Sequence, residues 1–359
     1  MRMRPAIIAL LLPALAVAAD PPAVVELFED DTAGLIPKLT MGGIGGGEQV
    51  KVEAETADVF SGKAALRVAA SQRFSPDIMG WDFAVAEKPA AGEYRYLRFA
   101  WKKLDAGPLM VQFHTRKPVA DWVIRYHAGT DPPPWAAKVV APAAPPEWAV
   151  VTRDLFADFG AVTLGGVAFT PYTGGDGLFD HILLGRTVAD LDRATAAAML
   201  KTPPAERMAD AKLKELWDRL AGDDASTADA AGWALVRGHQ QAVRFLIKTV
   251  TVPDRKAPPA VDADKVKPLI AGLTHYRHLT RVAAEDELRK LGPGALVHVR
   301  TAIEAADGDP KARLQTVLDG WDARAGLDAK RLRRCATVLR AVGTPEAKEL
   351  LAKIEAAVP

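Results

Sequence analysis

The chain has 359 residues, with 46 Lys and Arg against 45 Asp and Glu, which gives a formal net charge of +1 at pH 7. This balance excludes a strong electrostatic attraction to nucleic acid or to an anionic membrane, so neither is expected as a partner. The length exceeds what one hydrophobic core usually serves, and the single cysteine, Cys335, excludes an internal disulfide. We therefore expect two domains that packed cores stabilise.

The first 19 residues have the pattern of a secretory signal peptide. Arg2 and Arg4 precede an apolar run over residues 6–15, and small residues at positions 16–19 offer a cleavage site before Asp20. The apolar run is short for a membrane span, and Pro13 interrupts it. The sequence therefore predicts a secreted or periplasmic protein with no membrane contact after cleavage, and an uncleaved anchor is the alternative.

Residues 24–186 have the pattern of antiparallel β-structure. Apolar residues recur mostly at every second position, in short runs that Gly, Pro and Asp separate. Eight or more strands indicate a β-sandwich. The glycine-rich residues 40–47 and the proline-rich residues 130–146 are expected to be loops. The predicted strands are residues 48–54, 64–70, 94–102, 109–115, 121–127, 147–154, 167–172 and 178–185.

Beyond Leu191 the apolar period changes to three and four and alanine becomes abundant, which predicts helices. The domain boundary is therefore placed near Asp190, with a β domain over residues 20–190 and an all-α domain over residues 191–359. Helices in short antiparallel pairs stack into an α-solenoid. The predicted helices are residues 205–221, 225–238, 240–250, 262–273, 280–291, 295–306, 310–320, 328–342 and 345–356.

Three segments of the first half occur in an order that suggests a known family. Residues 60–68 (FSGKAALRV), 93–102 (EYRYLRFAWK) and 177–185 (GLFDHILLG) together resemble a carbohydrate-binding-module jelly roll of the galactose-binding-like type. Residues 288–295 and 339–351 resemble HEAT-type helical repeats. The combination is similar to secreted bacterial multidomain proteins.

The resemblance implies that the jelly roll binds a carbohydrate or another extracellular polymer and that the helical repeats form a scaffold for a protein partner. It also implies a structural calcium ion, because Glu29, Asp30 and Asp180 match positions where such modules hold calcium through oxygen ligands. The alternative is that these acids only stabilise turns.

Strand alternation assigns candidate ligand-binding side chains. It places Val111 and Phe113, and likewise Trp122, Ile124 and Tyr126, on the core side of their strands. Planar donors with an aromatic ring suit sugar hydroxyls, although any half-exposed sheet also alternates. The side chains predicted to line one sheet face are Tyr96, Arg98, Gln112, His114, Arg125 and His127, with Arg67 beside them.

The sequence contains none of the common nucleophile, zinc, nucleotide or redox motifs. Gln112-Phe113-His114 is similar to the Q-x-H strand of some polysaccharide lyases, but the expected tyrosine and lysine partners are not recognisable. The leading prediction is therefore a secreted, non-catalytic binding protein. The alternatives are a polysaccharide lyase or hydrolase that uses the polar sheet face, and a structural protein of the cell envelope.

Overall fold

The structure, a computed structural model, describes residues 21–39, 41–42, 51–130, 135–201, 207–252, 261–306 and 308–357. The chain is built mainly from strands up to residue 185 and from helices after residue 188. The predicted change from β to α structure is therefore confirmed. The predicted signal peptide at residues 1–19 lies outside the described residues, as does most of the glycine-rich segment.

Fourteen strands are present among the described residues: β1 (Val24–Phe28), β2 (Met41–Gly42), β3 (Val52–Glu55), β4 (Ala65–Val68), β5 (Arg73–Ser75), β6 (Phe83–Val85), β7 (Glu93–Tyr94), β8 (Tyr96–Lys103), β9 (Leu109–Lys117), β10 (Asp121–Ala128), β11 (Lys138–Ala141), β12 (Ala149–Asp154), β13 (Val162–Thr170) and β14 (Gly177–Gly185). Six of them form sheet I, in the order β12, β8, β14, β4 and β3, with β1 paired to β14. The other eight form sheet II, in the order β11, β10, β9, β13, β5 and β2, with β6 paired to β13 and β7 paired to β6.

All eight predicted strands correspond to strands of the structure. The prediction missed β1, β2, β5, β6, β7 and β11, which have two to five residues each and are too short for alternation to reveal. The sheets are also not wholly antiparallel as predicted, because β10 pairs with β11 and β6 pairs with β7 in parallel.

The two sheets pack face to face around one hydrophobic core. Phe99 and Trp101 of β8 meet edge to face, with ring centroids 5.0 Å apart, and Phe99 also faces Tyr126 of β10. Phe169 of β13 packs on Phe179 of β14 at 4.9 Å, so aromatic pairs join sheet II to sheet I at two places. Strand alternation correctly predicted the core side of β8 and β9.

Two short helices lie in the β half and nine further helices follow it among the described residues. They are α1 (Thr32–Leu35), α2 (Leu155–Phe159), α3 (Val188–Lys201), α4 (Asp210–Arg219), α5 (Ala225–Arg237), α6 (His239–Thr249), α7 (Ala263–Gly272), α8 (His278–Leu291), α9 (Leu296–Ala305), α10 (Gly308–Val342) and α11 (Pro345–Ala357). Helix α3 was not predicted. Within the described ranges, no helix combines the length and apolar character needed to cross a membrane.

The predicted pairing of short helices is wrong at α10. It runs without a break through 35 residues, over the two segments that were predicted as separate helices at 310–320 and 328–342. Its length is about 50 Å. Gly320 and Gly326 lie where the break between the two predicted helices was placed, but neither has a positive φ, and the residues between them are mostly good helix formers.

The described residues form three hydrophobic clusters, whereas the sequence predicted two separate interiors. The first lies between the sheets. The second joins α3–α6, α11 and the C-terminal part of α10 to Phe60, Ala100 and Val150, which lie on the outer side of sheet I. The third lies among α7, α8, α9 and the N-terminal part of α10, around Trp321. Sheet I is therefore covered on both faces.

Candidate functional site

The outer face of sheet II brings together four of the six predicted binding residues. Gln112 of β9 lies opposite Arg125 of β10 on one side and opposite Ala168 of β13 on the other. Ala168 lies opposite Phe74 of β5, so these side chains form one row across four neighbouring strands.

Hydrogen bonds hold the polar part of this row in place. The Nε of Arg125 donates to the Oε1 of Gln112 at 2.9 Å, and the Nε2 of Gln112 donates to the Oγ1 of Thr170 at 3.0 Å. Gln112 is only 2% exposed, whereas Arg125 is half-buried. Burial lowers the pKa of Arg125, but a guanidinium stays charged at neutral pH. Arg125 is therefore an accessible cation on this face.

His114 follows Gln112 by two residues on β9, and His127 follows Arg125 by two residues on β10, so both histidines lie on the same face as this row. His127 is buried, and His114 is half-buried. The Nδ1 of His114 has no hydrogen-bond partner among the described residues. Burial lowers the pKa of His114, although the carboxylates of Asp121 and Asp77 oppose the shift. The imidazole is therefore neutral at pH 7.

Trp122 also lies on the outer face of sheet II, which corrects its predicted place in the core. Its ring meets His114 with centroids 5.1 Å apart and meets Phe74 at 5.8 Å, both nearly edge-on. The register of β10 shifts between Asp121 and Ile124, where the strand bulges. Because a bulge changes the face on which residues before it lie, strict alternation could not locate Trp122.

A second pair of rings, Trp135 and Tyr172, lies beside Arg125. The guanidinium carbon of Arg125 is 5.7 Å from the centroid of the Trp135 ring, and Trp135 meets Tyr172 edge-on at 6.1 Å. Tyr172 is 36% exposed. Sequence reasoning singled out neither residue. Trp135 lies in the segment 130–146 that was predicted as a loop, and Tyr172 was the last residue of the predicted strand 167–172 but follows the end of β13 at Thr170.

Lys103 fixes the loop that carries Tyr172. Its Nζ donates to the carbonyl oxygens of Pro171, Thr173 and Gly175 at 2.7, 2.8 and 2.6 Å, and the residue is 2% exposed. Burial lowers the pKa of Lys103 to about 8, while the charges of Asp176 and Asp105 oppose the shift. Three carbonyl acceptors suit an ammonium group with three donors.

The structure does not bring Tyr96, Arg98 or Arg67 to this face, because β8 and β4 belong to sheet I. The connection between β8 and β9 crosses from one sheet to the other, and alternation within a strand cannot show to which sheet the strand belongs. Tyr96 instead lies against Arg95, with the guanidinium 5.4 Å from its ring centroid. Arg67 forms an ion pair with Asp176 at 2.8 Å.

Arg98 anchors the helices to sheet I rather than facing a ligand on sheet II. Its Nε donates to Thr152 Oγ1 at 2.9 Å, within the sheet. Its Nη1 donates to Thr195 Oγ1 at 2.9 Å and its Nη2 to Asp192 Oδ1 at 2.7 Å, both on α3. The guanidinium lies 5.5 Å from the ring centroid of Trp233 on α5, and the residue is 4% exposed.

The three predicted calcium ligands take part in hydrogen bonds. Asp180 accepts from the backbone N–H groups of Phe60, Ser61 and His181 at 2.9, 3.1 and 2.7 Å. Burial and the charge of Glu29 raise the pKa of Asp180 well above its usual value, against the effect of these donors. Asp30 accepts hydrogen bonds from other donors, the backbone N–H groups of residues 63 and 64.

Glu29 lies next to Asp180 in a buried polar network that sequence reasoning missed. It accepts from the hydroxyl of Ser61 and lies 2.5 Å from His181 Nδ1, while His181 Nε2 lies 2.8 Å from Thr195 Oγ1. Burial by itself would raise the pKa of Glu29, but the hydrogen bonds from His181 and Ser61 and the charge on His181 lower it below its usual value.

These carboxylates do not fit a calcium ion as they are arranged. Calcium needs six or more oxygen ligands. Here the carboxylate oxygens face N–H and O–H donors, which would meet a cation unfavourably. Within the described part of the chain, no group of three or more His, Cys, Asp or Glu residues is arranged to hold a metal ion.

Comparisons with known proteins find similarity at low levels. No protein-family model matches the sequence, and no curated protein matches it. Among solved structures, a family 30 carbohydrate-binding module is similar at 16% identity over 46% of this chain and 99% of that chain, with a TM-score of 0.29. A family 11 carbohydrate-binding module from Clostridium thermocellum, in complex with a β-1,3-1,4-mixed-linked tetrasaccharide, is similar at 13% identity over 38% and 84% of the two chains, with a TM-score of 0.22. At these TM-scores the likeness carries no argument about function.

Proposed function

We propose that the outer face of sheet II binds a carbohydrate and that the protein acts there as a binding protein without catalysis. The observation that supports this is the presence of two aromatic groups on this face: Trp122 meets His114, and Trp135 meets Tyr172 beside the guanidinium of Arg125. Aromatic rings pack on the apolar faces of sugar rings, and planar donors bind pairs of sugar oxygens. Because the groups spread over several strands, an extended polymer suits them better than one sugar unit.

The proposal includes the finer assignment of the β half as a jelly roll. Two facing sheets support it, as does the pairing of β1 with β14, the first and last strands of the half.

The test is binding of the full-length chain to a panel of polysaccharides, measured by pull-down and then by calorimetry. Trp122→Ala is expected to weaken binding at least tenfold, because the ring is half-buried on the outer face and its loss removes a stacking surface. Tyr96→Ala is the matched control, since it removes a half-buried aromatic residue from sheet I, and it should leave the affinity unchanged. No binding across the panel, or equal loss in both variants, would remove the proposal.

A lyase that uses His114 is the second candidate, because the Nδ1 of the neutral imidazole has no hydrogen-bond partner among the described residues and is able to accept a proton. The assay is formation of unsaturated product from uronate polymers. Product that His114→Ala abolishes would replace the non-catalytic proposal, whereas the absence of product from the wild-type chain argues for binding alone.

We further propose that the protein is exported, as the pattern of residues 1–19 supports. N-terminal sequencing of the protein from separated cell fractions is the test. A mature chain that begins near Asp20 outside the cytoplasm is expected, and an intact chain that stays in the cytoplasm would contradict the proposal.

For the helical half we propose a HEAT-like scaffold that contacts a protein partner, and a role within an envelope assembly is the related alternative. Tyr276, Leu279 and Val297 support it, because they are 77%, 81% and 70% exposed although they are large and apolar. Cross-linking in intact cells should give products that the double variant Tyr276→Ala/Leu279→Ala lacks. Identical products from both chains would contradict the proposal.

A further inference from the structure

A pocket of about 210 Å³ lies between the outer side of sheet I and helices α3, α5 and α10. It is therefore on the opposite sheet from the proposed carbohydrate face. Its polar lining comes from sheet and helices together, and the residues that carry the argument are Arg98, Asp192, Asp229, Trp233, Arg334 and Val338.

Asp229 is the unusual group in this pocket. It is half-buried on α5, and no described residue donates a hydrogen bond to its carboxylate or forms an ion pair with it. Burial raises the pKa of Asp229, and the charges of Asp192 and Asp224 add to the effect. The carboxylate lines the pocket and accepts no hydrogen bond from a described residue, so it is available to a hydrogen-bond donor that enters the pocket from outside the chain.

Two arginine side chains, Arg98 and Arg334, line the same pocket as Asp229. Arg98 and Arg334 are close enough for their charges to favour the ionised form of Asp229, yet neither forms an ion pair with it. Arg98 is already paired with Asp192 at 2.7 Å. Arg334 donates from Nη1 to the carbonyls of Leu220 and Gly222, both at 2.7 Å, and its Nε and Nη2 have no acceptor among the described residues.

The lining of the pocket thus includes a carboxylate that accepts no hydrogen bond from a described residue and a guanidinium with unused N–H donors. The same lining contains apolar side chains, among them Trp233, Val236 and Val338. Pockets for drug-sized ligands are usually roughly 300–1,000 Å³, so the volume here suits a smaller molecule. The balanced charges favour a ligand that carries one positive and one negative group.

We propose that this pocket binds an amino-acid-sized zwitterion, with its ammonium group at Asp229, its carboxylate at Arg334 and its apolar part against Trp233 and Val338. An ammonium group supplies the hydrogen bonds that Asp229 lacks, and guanidinium groups bind carboxylates through paired N–H donors. The site is independent of the proposed carbohydrate face.

The test is calorimetric titration of the full-length chain with the free L-amino acids, and with the amine and the carboxylic acid that each retain one charged group of the best binder. We expect at least one amino acid to bind with a dissociation constant in the millimolar range or lower. Either single-charge compound should bind at least tenfold more weakly than that amino acid.

Asp229→Asn should weaken binding of the amino acid at least tenfold. Since no described residue bonds to Asp229, the fold should survive, which circular dichroism checks. Asp223→Asn, at an exposed acid outside the pocket, is the matched control and should bind as the wild type does.

A second variant does not touch Asp229. Val188 lines the pocket at its rim and is 41% exposed, so Val188→Trp should obstruct entry without disturbing a core and should weaken binding. Trp122→Ala should leave amino-acid binding unchanged, which separates this site from the carbohydrate face. The proposal is overturned if no amino acid binds, or if Asp229→Asn binds the amino acid as tightly as the wild type does. It is also overturned if glucose or a single-charge compound binds as tightly as the amino acid.

Discussion

Two buried charged side chains, Lys103 and Glu29, hold the connections of the β half in place. Lys103 donates to three carbonyl oxygens of one loop, and Glu29 accepts from Ser61 and lies within hydrogen-bond distance of His181. A buried charge is tolerated only when it is paired or hydrogen-bonded. The local order around both sites therefore depends on single side chains.

Lys103→Met is expected to lower the free energy of unfolding by about 2 kcal/mol, because three carbonyl groups lose their donor. Carbohydrate affinity should fall as well, since the loop carries Tyr172. Urea unfolding and calorimetric titration are the measurements. Lys102→Met, which removes a neighbouring lysine from an ion pair with Asp58 near the surface, is the control and should cost less than about 1 kcal/mol. Equal losses would contradict the role of Lys103.

Glu29 makes stability depend on pH in the acid range. Its folded-state pKa is below the ordinary value of 4.5, so the unfolded chain binds the proton more tightly. The resulting stabilisation is fully present above pH 4.5 and is lost as the pH falls through the folded-state value.

Glu29→Gln should therefore lower stability by about 2 kcal/mol at pH 7 and give a shallower decline below pH 4.5 than the wild type. Urea unfolding at a series of pH values measures both effects. Glu26→Gln, at an exposed position of β1 three residues before Glu29, should behave as the wild type does. A variant curve parallel to the wild-type curve would exclude the assignment.

Removal of calcium is expected to leave the melting temperature unchanged, because the carboxylates of Glu29, Asp30 and Asp180 already accept hydrogen bonds from the chain. Calorimetry with and without a chelator is the measurement. A clear drop with chelator that added calcium reverses would show that the acids serve as ligands after all.

Two secondary-structure elements have the largest effect on the architecture: β10 positions an aromatic residue of the proposed carbohydrate face, and α10 links two hydrophobic clusters. The bulge of β10 places Trp122 on the outer face of sheet II. Helix α10 contributes Leu314 and Val317 to the third cluster and Cys335 and Leu339 to the second. One continuous helix therefore connects two cores that separate hairpins would have left independent.

The double variant Gly320→Ala/Gly326→Ala should stabilise the protein by about 0.5–1 kcal/mol per site, because both residues lie inside α10 with open space around a Cβ atom. Gly343→Ala is the matched control. Its φ of +69° at the turn before α11 disfavours alanine, so it should destabilise the protein by about 1 kcal/mol. Destabilisation of the double variant would indicate a turn within α10.

The β half and the helices are joined by a shared hydrophobic cluster and by polar bonds around it. Ala100 and Val150 point away from the sandwich core but are buried against the helices, and Arg98 bonds to α3 beside them. This burial closes the outer side of sheet I and creates the pocket at Asp229. Of the outer faces of the two described sheets, that of sheet II is the one left open to an extended ligand.

Val150→Asp in the full-length chain is expected to lower the free energy of unfolding by about 3 kcal/mol or more, since Val150 is 1% exposed and a carboxylate there would have no water. Val139→Asp on sheet II, where the residue is 61% exposed, should change stability by no more than about 0.5 kcal/mol. Thermal and urea unfolding measure both variants. A small effect at Val150 would mean that the two halves do not share a core.

The sequence by itself determined where strands change to helices, the positions of eight strands, and the core sides of β8 and β9, because these depend on the local period of the backbone. Only the tertiary structure decided which sheet each strand joins, and so which polar side chains meet: Gln112 lies beside Arg125, whereas Arg98 lies against α3. The bulge that moves Trp122 and the burial of Val150 depend on contacts between residues far apart in the chain. Local alternation contains no information about those contacts.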